Sequence, residues 1–200
     1  MLELDKPIFW IVAGPNGSGK STLYGRTDIK NFGRSVWIIN PDILTAYIAK
    51  QERLALRPAN AETLDRIYSW LKTSIRTYKT VGVETVLSTA KYRRLVRLAK
   101  AHGFEIRLLY VTLKTAEMNV ERVRKRVKEG GHDVTADKIL SRREKSFKQL
   151  PWFLEQADFA LIFDNSSKEP IPIGWKENGT TVVDPSAPDE IKKAVRSLHH

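Results

Sequence analysis

The sequence predicts an α/β fold in which a mostly parallel five-stranded sheet is flanked by helices. Short β-prone apolar runs alternate along the chain with segments of helical periodicity. The first of these runs is apolar on both faces, as in a strand buried between two layers, and a glycine-rich loop joins it to a helix. We expect one domain over residues 1–200, because this length suffices for one α/β core.

Each predicted strand is a cluster of apolar, β-prone residues. The five strands are expected over residues 8–13, 36–39, 81–87, 106–113 and 159–163. Two further β-prone segments, 171–176 and 180–184, flank Glu177-Asn178-Gly179 and predict a C-terminal β-hairpin.

Each predicted helix is a segment with apolar residues three and four positions apart. One is expected around residues 95–99, with Gly103 as its C-terminal cap. The others are expected over about 60–79, 116–127, 136–149 and 187–198. Asp42 follows Pro41, which predicts that it lies in the first turn of a further helix.

The glycine-rich loop after the first strand fits the pattern G-x-x-x-x-G-K-[ST]. Its glycines let successive backbone N–H groups surround phosphate oxygens, and the next helix adds the positive end of its dipole. We expect Lys20 to reach the β- and γ-phosphates and the Ser21 hydroxyl to ligate Mg²⁺. The loop predicts binding of ATP and Mg²⁺ by Gly14, Pro15, Asn16, Gly17, Ser18, Gly19, Lys20, Ser21 and Thr22.

Two carboxylates fall at the ends of neighbouring strands, where a parallel sheet places its ligand crevice. Asp42 is either a general base for an attacking hydroxyl or an N-terminal helix cap, a role worth about 1 kcal/mol. Glu84 either has a specific role in the site or is a strand residue whose carboxylate accepts hydrogen bonds from backbone N–H groups. The fourth strand ends without a carboxylate, which disfavours an ATP-driven motor. The sequence has no Asn-Lys-x-Asp motif for reading guanine, which disfavours a GTPase.

The net charge of +11 is concentrated in one segment, since residues 91–150 carry 17 basic and 7 acidic side chains. Such a segment binds nucleic acid, an acidic membrane or a phosphate, or it forms solvated helix faces. Arg122 and Arg126 share a helix face, and Arg142-Arg143 follow the break at Gly130-Gly131-His132-Asp133. This pattern predicts a helical lid over about residues 122–145 whose arginines bind the γ-phosphate.

Other sequence features exclude whole classes of site. The chain has no cysteine, so disulfides, thiolate zinc sites and cysteine nucleophiles are excluded. The N-terminus lacks a signal h-region and the apolar runs are too short to span a bilayer. We therefore expect a cytoplasmic protein.

The ordered set of motifs resembles the zeta-toxin-like P-loop kinases. The matching segments are 14–22, Asn40-Pro41-Asp42, Glu84-Thr85-Val86-Leu87-Ser88, residues 122–143 and Asp164-Asn165-Ser166. The resemblance implies an ATP-dependent phosphotransferase fold. Known zeta toxins phosphorylate the 3′-hydroxyl of the amino sugar in UDP-N-acetylglucosamine, and an antitoxin blocks their nucleotide site.

Carried over by position, the resemblance assigns a role to each matching side chain. Lys20 would bind phosphate, Asp42 would be the base and Glu84 would contact the small-molecule substrate. Arg126 would stabilise the transferred phosphoryl group, with Arg142 or Arg143 as the second lid arginine. The chain departs from the family in its shorter length and in Thr85-Val86 beside the substrate, so the nucleotide sugar carries over less well than the chemistry.

Two alternatives remain open at this stage. One is a kinase for another hydroxylated substrate, such as a nucleoside, a sugar or an antibiotic. The other is a regulatory ATPase that binds nucleic acid through the basic segment, with an affinity that falls steeply with salt.

Overall fold

The strands form one twisted sheet in the computed structural model, which describes residues 6–24, 36–131 and 133–198. Within these ranges the sheet has seven strands in the order β2-β3-β1-β4-β5-β6-β7. β1 to β5 run parallel to one another, whereas β6 is antiparallel to both β5 and β7. The strands are β1 Ile8–Ala13, β2 Ile38–Ile39, β3 Val81–Thr85, β4 Glu105–Thr112, β5 Phe159–Asp164, β6 Ile171–Glu177 and β7 Thr180–Val183.

Helices connect the parallel strands and cover the sheet. They are α1 Lys20–Tyr24, α2 Pro41–Gln51, α3 Leu56–Arg76, α4 Arg93–Ala101, α5 Ala116–Lys128, α6 Ala136–Gln156 and α7 Asp189–Arg196. None of these helices, in the ranges given above, is long and apolar enough to cross a membrane.

The core lies on both sides of β1, which is hydrogen-bonded to β3 on one side and to β4 on the other. Phe9 and Ile11 pack in the larger cluster with α3, α4 and α6, while Val12 packs on the opposite face with Leu23 of α1. This two-sided burial explains why β1 is a continuous apolar run instead of an alternating one.

The predicted α/β architecture is confirmed, with one change in the sheet. The hairpin forms as predicted, but β6 pairs with β5, so the sheet has seven strands in place of five. The third strand was expected over residues 81–87, but β3 ends at Thr85. The Thr85 hydroxyl accepts a hydrogen bond from the Leu87 N–H at 3.0 Å, and Leu87 is buried with φ +60°, which turns the chain away from the sheet.

Other predicted bounds also differ from the structure, such as those of the helix expected over about 60–79, which is α3 Leu56–Arg76. β2 covers only Ile38–Ile39 of the expected strand over 36–39. α6 extends to Gln156, past the expected end at 149, because Leu150, Phe153 and Leu154 continue its buried stripe at helical spacing.

Candidate functional site

The glycine-rich loop is held in a conformation that requires glycine. Gly14 has φ +142° and Gly19 has φ +88°, which side-chain-bearing residues rarely adopt. A Cβ atom on Gly14 would clash with the Val111 carbonyl, and one on Gly19 would clash with the Asn165 amide. The loop therefore packs directly on the carboxyl ends of the neighbouring strands.

Two asparagine side chains hold the loop carbonyls from outside. Asn119 Nδ2 of α5 donates to the Asn16 carbonyl at 2.6 Å, and Asn165 Nδ2 after β5 donates to the Ser18 carbonyl at 2.8 Å. With these carbonyls bound, the loop presents other polar atoms for a ligand. Asn16 Oδ1 and Ser18 Oγ are buried and have no hydrogen-bond partner within the described part of the chain. The Ser18 hydroxyl can donate a hydrogen bond, so it fits an anion such as a nucleotide phosphate, whereas Asn16 Oδ1 can only accept one.

Arg143 supports this arrangement from the core. Its guanidinium donates to Asn119 Oδ1 at 2.9 Å and to the Leu113 carbonyl at 3.1 Å, and it lies 3.3 Å from Glu190 Oε1. The residue is only 3% exposed. Of the two candidate lid arginines, Arg143 is therefore the wrong choice: it faces the core because α6 buries that side of the helix.

Arg122 similarly supports the second asparagine. Its Nη2 donates to the Asn165 backbone carbonyl at 2.7 Å. Arg122 and Arg126 were expected on one helix face, yet they have different surroundings, since only Arg126 lines the cleft described below.

Lys20 is buried at the base of the loop. Its Nζ donates to the carbonyls of Gly14 and Pro15 at 2.9 and 3.0 Å and lies 3.8 Å from Glu84 Oε1. Burial lowers the pKa of the Lys20 ammonium below its ordinary value, while the Glu84 carboxylate raises it. The lysine is thus held by weak acceptors of its own loop, which phosphate oxygens can replace.

Ser21, Glu84 and Asn40 form a polar cluster beside Lys20. Glu84 Oε2 accepts from Ser21 Oγ at 2.7 Å and from Asn40 Nδ2 at 2.8 Å. Burial raises the pKa of the nearby Tyr24 hydroxyl, and the Glu84 charge raises it further. Glu84 is therefore satisfied by side chains of the site, which contradicts the alternative of satisfaction by backbone N–H groups.

Asp42 lies in the first turn of α2, as predicted, but it does not cap the helix. The N-cap is Asn40, whose Oδ1 accepts from the backbone N–H groups of Asp42 at 2.9 Å and Ile43 at 3.3 Å. The cap interpretation of Asp42 is therefore wrong. Its exposed side chain is left for the cleft.

These elements enclose a cleft of about 300 Å³ between the loop, α2, α3 and the segment after β3. Among the expected catalytic and substrate-binding residues, the cleft brings together Lys20, Asp42, Glu84, Arg126 and Arg142. Of the expected loop residues, Asn16 and Gly17 also line it, whereas Thr22 is exposed further along α1. His132, named in the expected break between the lid helices, lies outside the described residues.

Sequence reasoning missed Asn119 and Lys91 as contributors to the site, and it named Asn40 and Asn165 only within the motifs of the family resemblance, without a role. For Asn119 a signal existed, because this polar residue lies on the same stripe of α5 as the buried Val123. Asn40 precedes a proline and an aspartate, which is also a common pattern for a helix start. No local pattern indicated that Lys91 would line the cleft.

Comparison with known proteins places the fold. An uncharacterised protein of Haemophilus influenzae is 31% identical over 136 residues, which cover 66% of this chain and 89% of that protein. A structure from the PezAT chromosomal toxin-antitoxin system of Streptococcus pneumoniae has a TM-score of 0.68 at 16% identity and covers 98% of this chain and 87% of that one. A structure of AvrRxo1-ORF1:-ORF2 with ATP has a TM-score of 0.69 at 17% identity, covering 96% of this chain and 64% of that one.

This chain therefore spans less than two thirds of the AvrRxo1 chain that it matches. The structural similarities confirm the P-loop kinase-like fold, and the resemblance to zeta-toxin-like kinases holds at that level. A family model described as an AAA domain, AAA_33, matches residues 9–150. Because the match covers more than half of the sequence, the chain belongs to this AAA domain family.

Proposed function

We propose that this protein is an ATP-dependent phosphotransferase that moves the γ-phosphoryl group of ATP to a hydroxyl group of a small molecule. The observation that carries the proposal is the convergence of Lys20, Asp42, Arg126 and Arg142 on one cleft beside the glycine-rich loop. A cation at the loop, a carboxylate and two guanidiniums on the same cleft form the set of groups that phosphoryl transfer requires.

The nucleotide end of the cleft is formed by the loop and the start of α1. Loop N–H groups and Lys20 Nζ would bind the β- and γ-phosphate oxygens. Ser21 Oγ, now bonded to Glu84, would ligate Mg²⁺ together with nucleotide oxygens and water. A bound Mg²⁺ ion would neutralise charge that develops on the phosphate oxygens.

The acceptor end is formed around Asp42. Its carboxylate would accept the proton of the attacking hydroxyl as the new O–P bond forms and the bond from the γ-phosphorus to the bridging oxygen breaks, releasing ADP. Arg126 and Arg142 would stabilise negative charge on the transferred group, since a guanidinium stays protonated and pairs two oxygens at once. Closure of the helical lid over 122–145 would exclude water from this step.

Glu84 is proposed to contact the acceptor substrate through one of its two carboxylate oxygens. Oε2 is held by Ser21 and Asn40, so Oε1, which lies 3.8 Å from Lys20, is the oxygen available to a substrate hydroxyl. UDP-N-acetylglucosamine is the first acceptor to test, and sugars, nucleosides and antibiotics follow.

Several basic residues of 91–150 support a phosphate cleft more than a nucleic-acid surface. Lys91, Arg126 and Arg142 line the cleft, while Arg122 and Arg143 bind the asparagines that hold the loop. The nucleic-acid-binding ATPase is therefore the less favoured alternative, and salt-dependent RNA or DNA affinity would support it.

A regulatory partner and a location complete the proposal. Similarity to a chain from a toxin-antitoxin system supports an antitoxin-type protein that covers the nucleotide cleft. Such a partner would lower ATP binding when added to the purified chain, and a partner that leaves ATP binding unchanged would not have this role.

The proposed use of ATP supports a cytoplasmic location for the protein.

The function is tested by following a labelled γ-phosphoryl group. The purified chain is incubated with γ-¹⁸O-labelled ATP, Mg²⁺ and a small-metabolite extract, and the products are searched by mass spectrometry for a labelled phosphate ester. The proposal requires a labelled ester that is absent when Lys20→Met replaces the parent chain. ATP consumption that yields only labelled inorganic phosphate in every extract would contradict it.

A further inference from the structure

Two cations of the cleft, Lys91 and Arg142, have no carboxylate partner in the part of the chain that the structure describes. Lys91 lies in the segment after β3, and Arg142 lies on the exposed side of α6. Among the described residues, no Asp or Glu oxygen forms an ion pair with either side chain. The Lys91 ammonium rests on the Tyr92 ring, 4.8 Å from its centroid.

The charges of these two residues act on each other and on Asp42. Loss of hydration lowers the pKa of Lys91, the Arg142 charge lowers it further, and the Asp42 carboxylate raises it. Two like charges that line one cleft repel each other, and an anion bound near both would reduce that repulsion. Lys91 and Arg142 line the same cleft as Asp42, the proposed base. A negatively charged ligand bound there would therefore interact favourably with both cations.

Lys91 belongs to a segment of the cleft lining other than the loop. Lys20 and the loop N–H groups serve the triphosphate, whereas Lys91 shares its segment with Ser88 and Thr89 and faces the same space as Asn60 of α3. Apart from Leu64 and Val86, this part of the lining consists of hydroxyl, amide and cationic groups. No aromatic ring lines the cleft among the residues that the structure describes, so a planar base would have no stacking partner there.

We propose that the acceptor is a small hydroxylated molecule carrying an anionic group, a phosphate or a carboxylate, which Lys91 binds together with Arg142 while the acceptor hydroxyl faces Asp42. This inference rests on the proposed function, since it defines the acceptor of the same site. It assigns Lys91 to substrate specificity and leaves the chemical step to the other residues of the cleft.

The test measures binding of three matched small molecules to the chain saturated with Mg²⁺ and a non-hydrolysable ATP analogue. Glycerol 3-phosphate, glycerate and glycerol share a carbon skeleton and differ in charge. Calorimetry is expected to show that at least one of the two anions binds about tenfold or more tightly than glycerol, and the tighter anion identifies the group that the site prefers.

Three variants show whether Lys91 is responsible. Lys91→Met is expected to lose about tenfold in anion affinity, and Lys91→Arg to retain it, because a hydrogen bond between charged groups is worth that much. Lys79→Met removes an exposed lysine away from the cleft and is expected to leave binding unchanged. The ATP analogue is expected to bind all variants with nearly equal affinity.

Two results would overturn the inference. One is equal binding of the anions and glycerol. The other is a Lys91→Met variant that loses affinity for the ATP analogue but not for the anion, which would assign Lys91 to the triphosphate. Failure of the proposed function looks different, because the labelled γ-phosphoryl group would then appear in no phosphate ester, whatever the affinity for the anions.

Discussion

The side-chain amide of Asn119 donates a 2.6 Å hydrogen bond to the backbone carbonyl of Asn16, a residue 103 positions earlier in the chain. Asn119 is fully buried, and its Oδ1 accepts from Arg143 in turn. The conformation of the phosphate-binding loop therefore depends on side chains of α5 and α6 that lie behind it.

Replacement of Asn119 by alanine is expected to weaken nucleotide binding. The change removes the donor to the Asn16 carbonyl and one of the acceptors of the Arg143 guanidinium, at a cost of about 1–3 kcal/mol in the free energy of unfolding. Because the loop peptide is no longer held, we expect ATP-analogue affinity to fall about tenfold. Chemical denaturation and calorimetry measure the two effects.

A matched control separates the effect on the loop from general destabilisation. Ser146→Ala removes the buried hydrogen bond between Ser146 and Tyr110, 2.9 Å long and unconnected to the loop. It is expected to lower stability to a similar extent without changing nucleotide affinity. Equal losses of nucleotide affinity in the two variants would show that Asn119 has no special role at the loop.

Arg142 and Arg143 are adjacent in sequence but are expected to respond differently to removal. Arg143→Met leaves Asn119 Oδ1 without its donor and removes one of two donors to the Leu113 carbonyl, so we expect a loss of about 1–3 kcal/mol in stability. Arg142→Met is expected to keep the stability of the parent chain and to lower the rate of phosphoryl transfer, since its side chain is exposed in the cleft. Thermal unfolding and turnover together check this pair, and the reverse pattern would refute the assignment.

Gly131 controls the position of Arg126. A Cβ atom on Gly131 would lie 2.5 Å from Arg126 Cγ and 3.0 Å from its carbonyl oxygen, so Gly131→Ala must displace that arginine. We expect turnover to fall about 10- to 100-fold with nucleotide affinity retained, because a small displacement of a catalytic group lowers the reaction rate strongly.

Gly130→Ala is the neighbouring control for this prediction. Gly130 has φ +86° and no atom within 4 Å of a built Cβ, so alanine strains the backbone without touching Arg126. It is expected to lower stability by about 1 kcal/mol and to keep turnover. Parent-like turnover in Gly131→Ala would show that Arg126 does not act in the reaction.

Nucleotide affinity is expected to depend on the charge of Lys20. Burial lowers the pKa of this ammonium, so its charge is lost as the pH rises through a value below that of an ordinary lysine. Glu84 opposes the effect by raising the pKa, and in Glu84→Gln the loss of affinity should begin at a lower pH. Titration of ADP binding without Mg²⁺ measures the shift. Lys20→Met should lack this pH dependence, and an unshifted profile in Glu84→Gln would argue against the coupling.

The sequence predicted those features that depend on local pattern. The apolar run at residues 8–13, the loop after it and the start of α2 at Pro41 each have a short-range cause, and the structure has all three. Asp42 and Glu84 were expected to converge because parallel strands share one edge, and both line the cleft.

Features that depend on packing between distant segments were not predicted. Arg142 and Arg143 are neighbours on a polar stretch, and only the docking of α6 against β4 and α5 determines which one is buried. The pairing of β6 with β5 likewise depends on which sheet edge is open. Arg122 and Arg126 share a helix face, yet Arg122 donates a hydrogen bond to the Asn165 carbonyl whereas Arg126 lines the cleft.

The assignment of Asp42 as the base is the central claim, and the rate of labelled phosphoryl transfer by Asp42→Asn tests it most directly. Asparagine keeps the size of the side chain and the backbone N–H that Asn40 binds, but it cannot accept the proton. With Asp65→Asn as an exposed control on α3, the account predicts a fall of about 10²- to 10⁴-fold in Asp42→Asn only, with ATP-analogue affinity unchanged. Transfer by Asp42→Asn at the parent rate would contradict it.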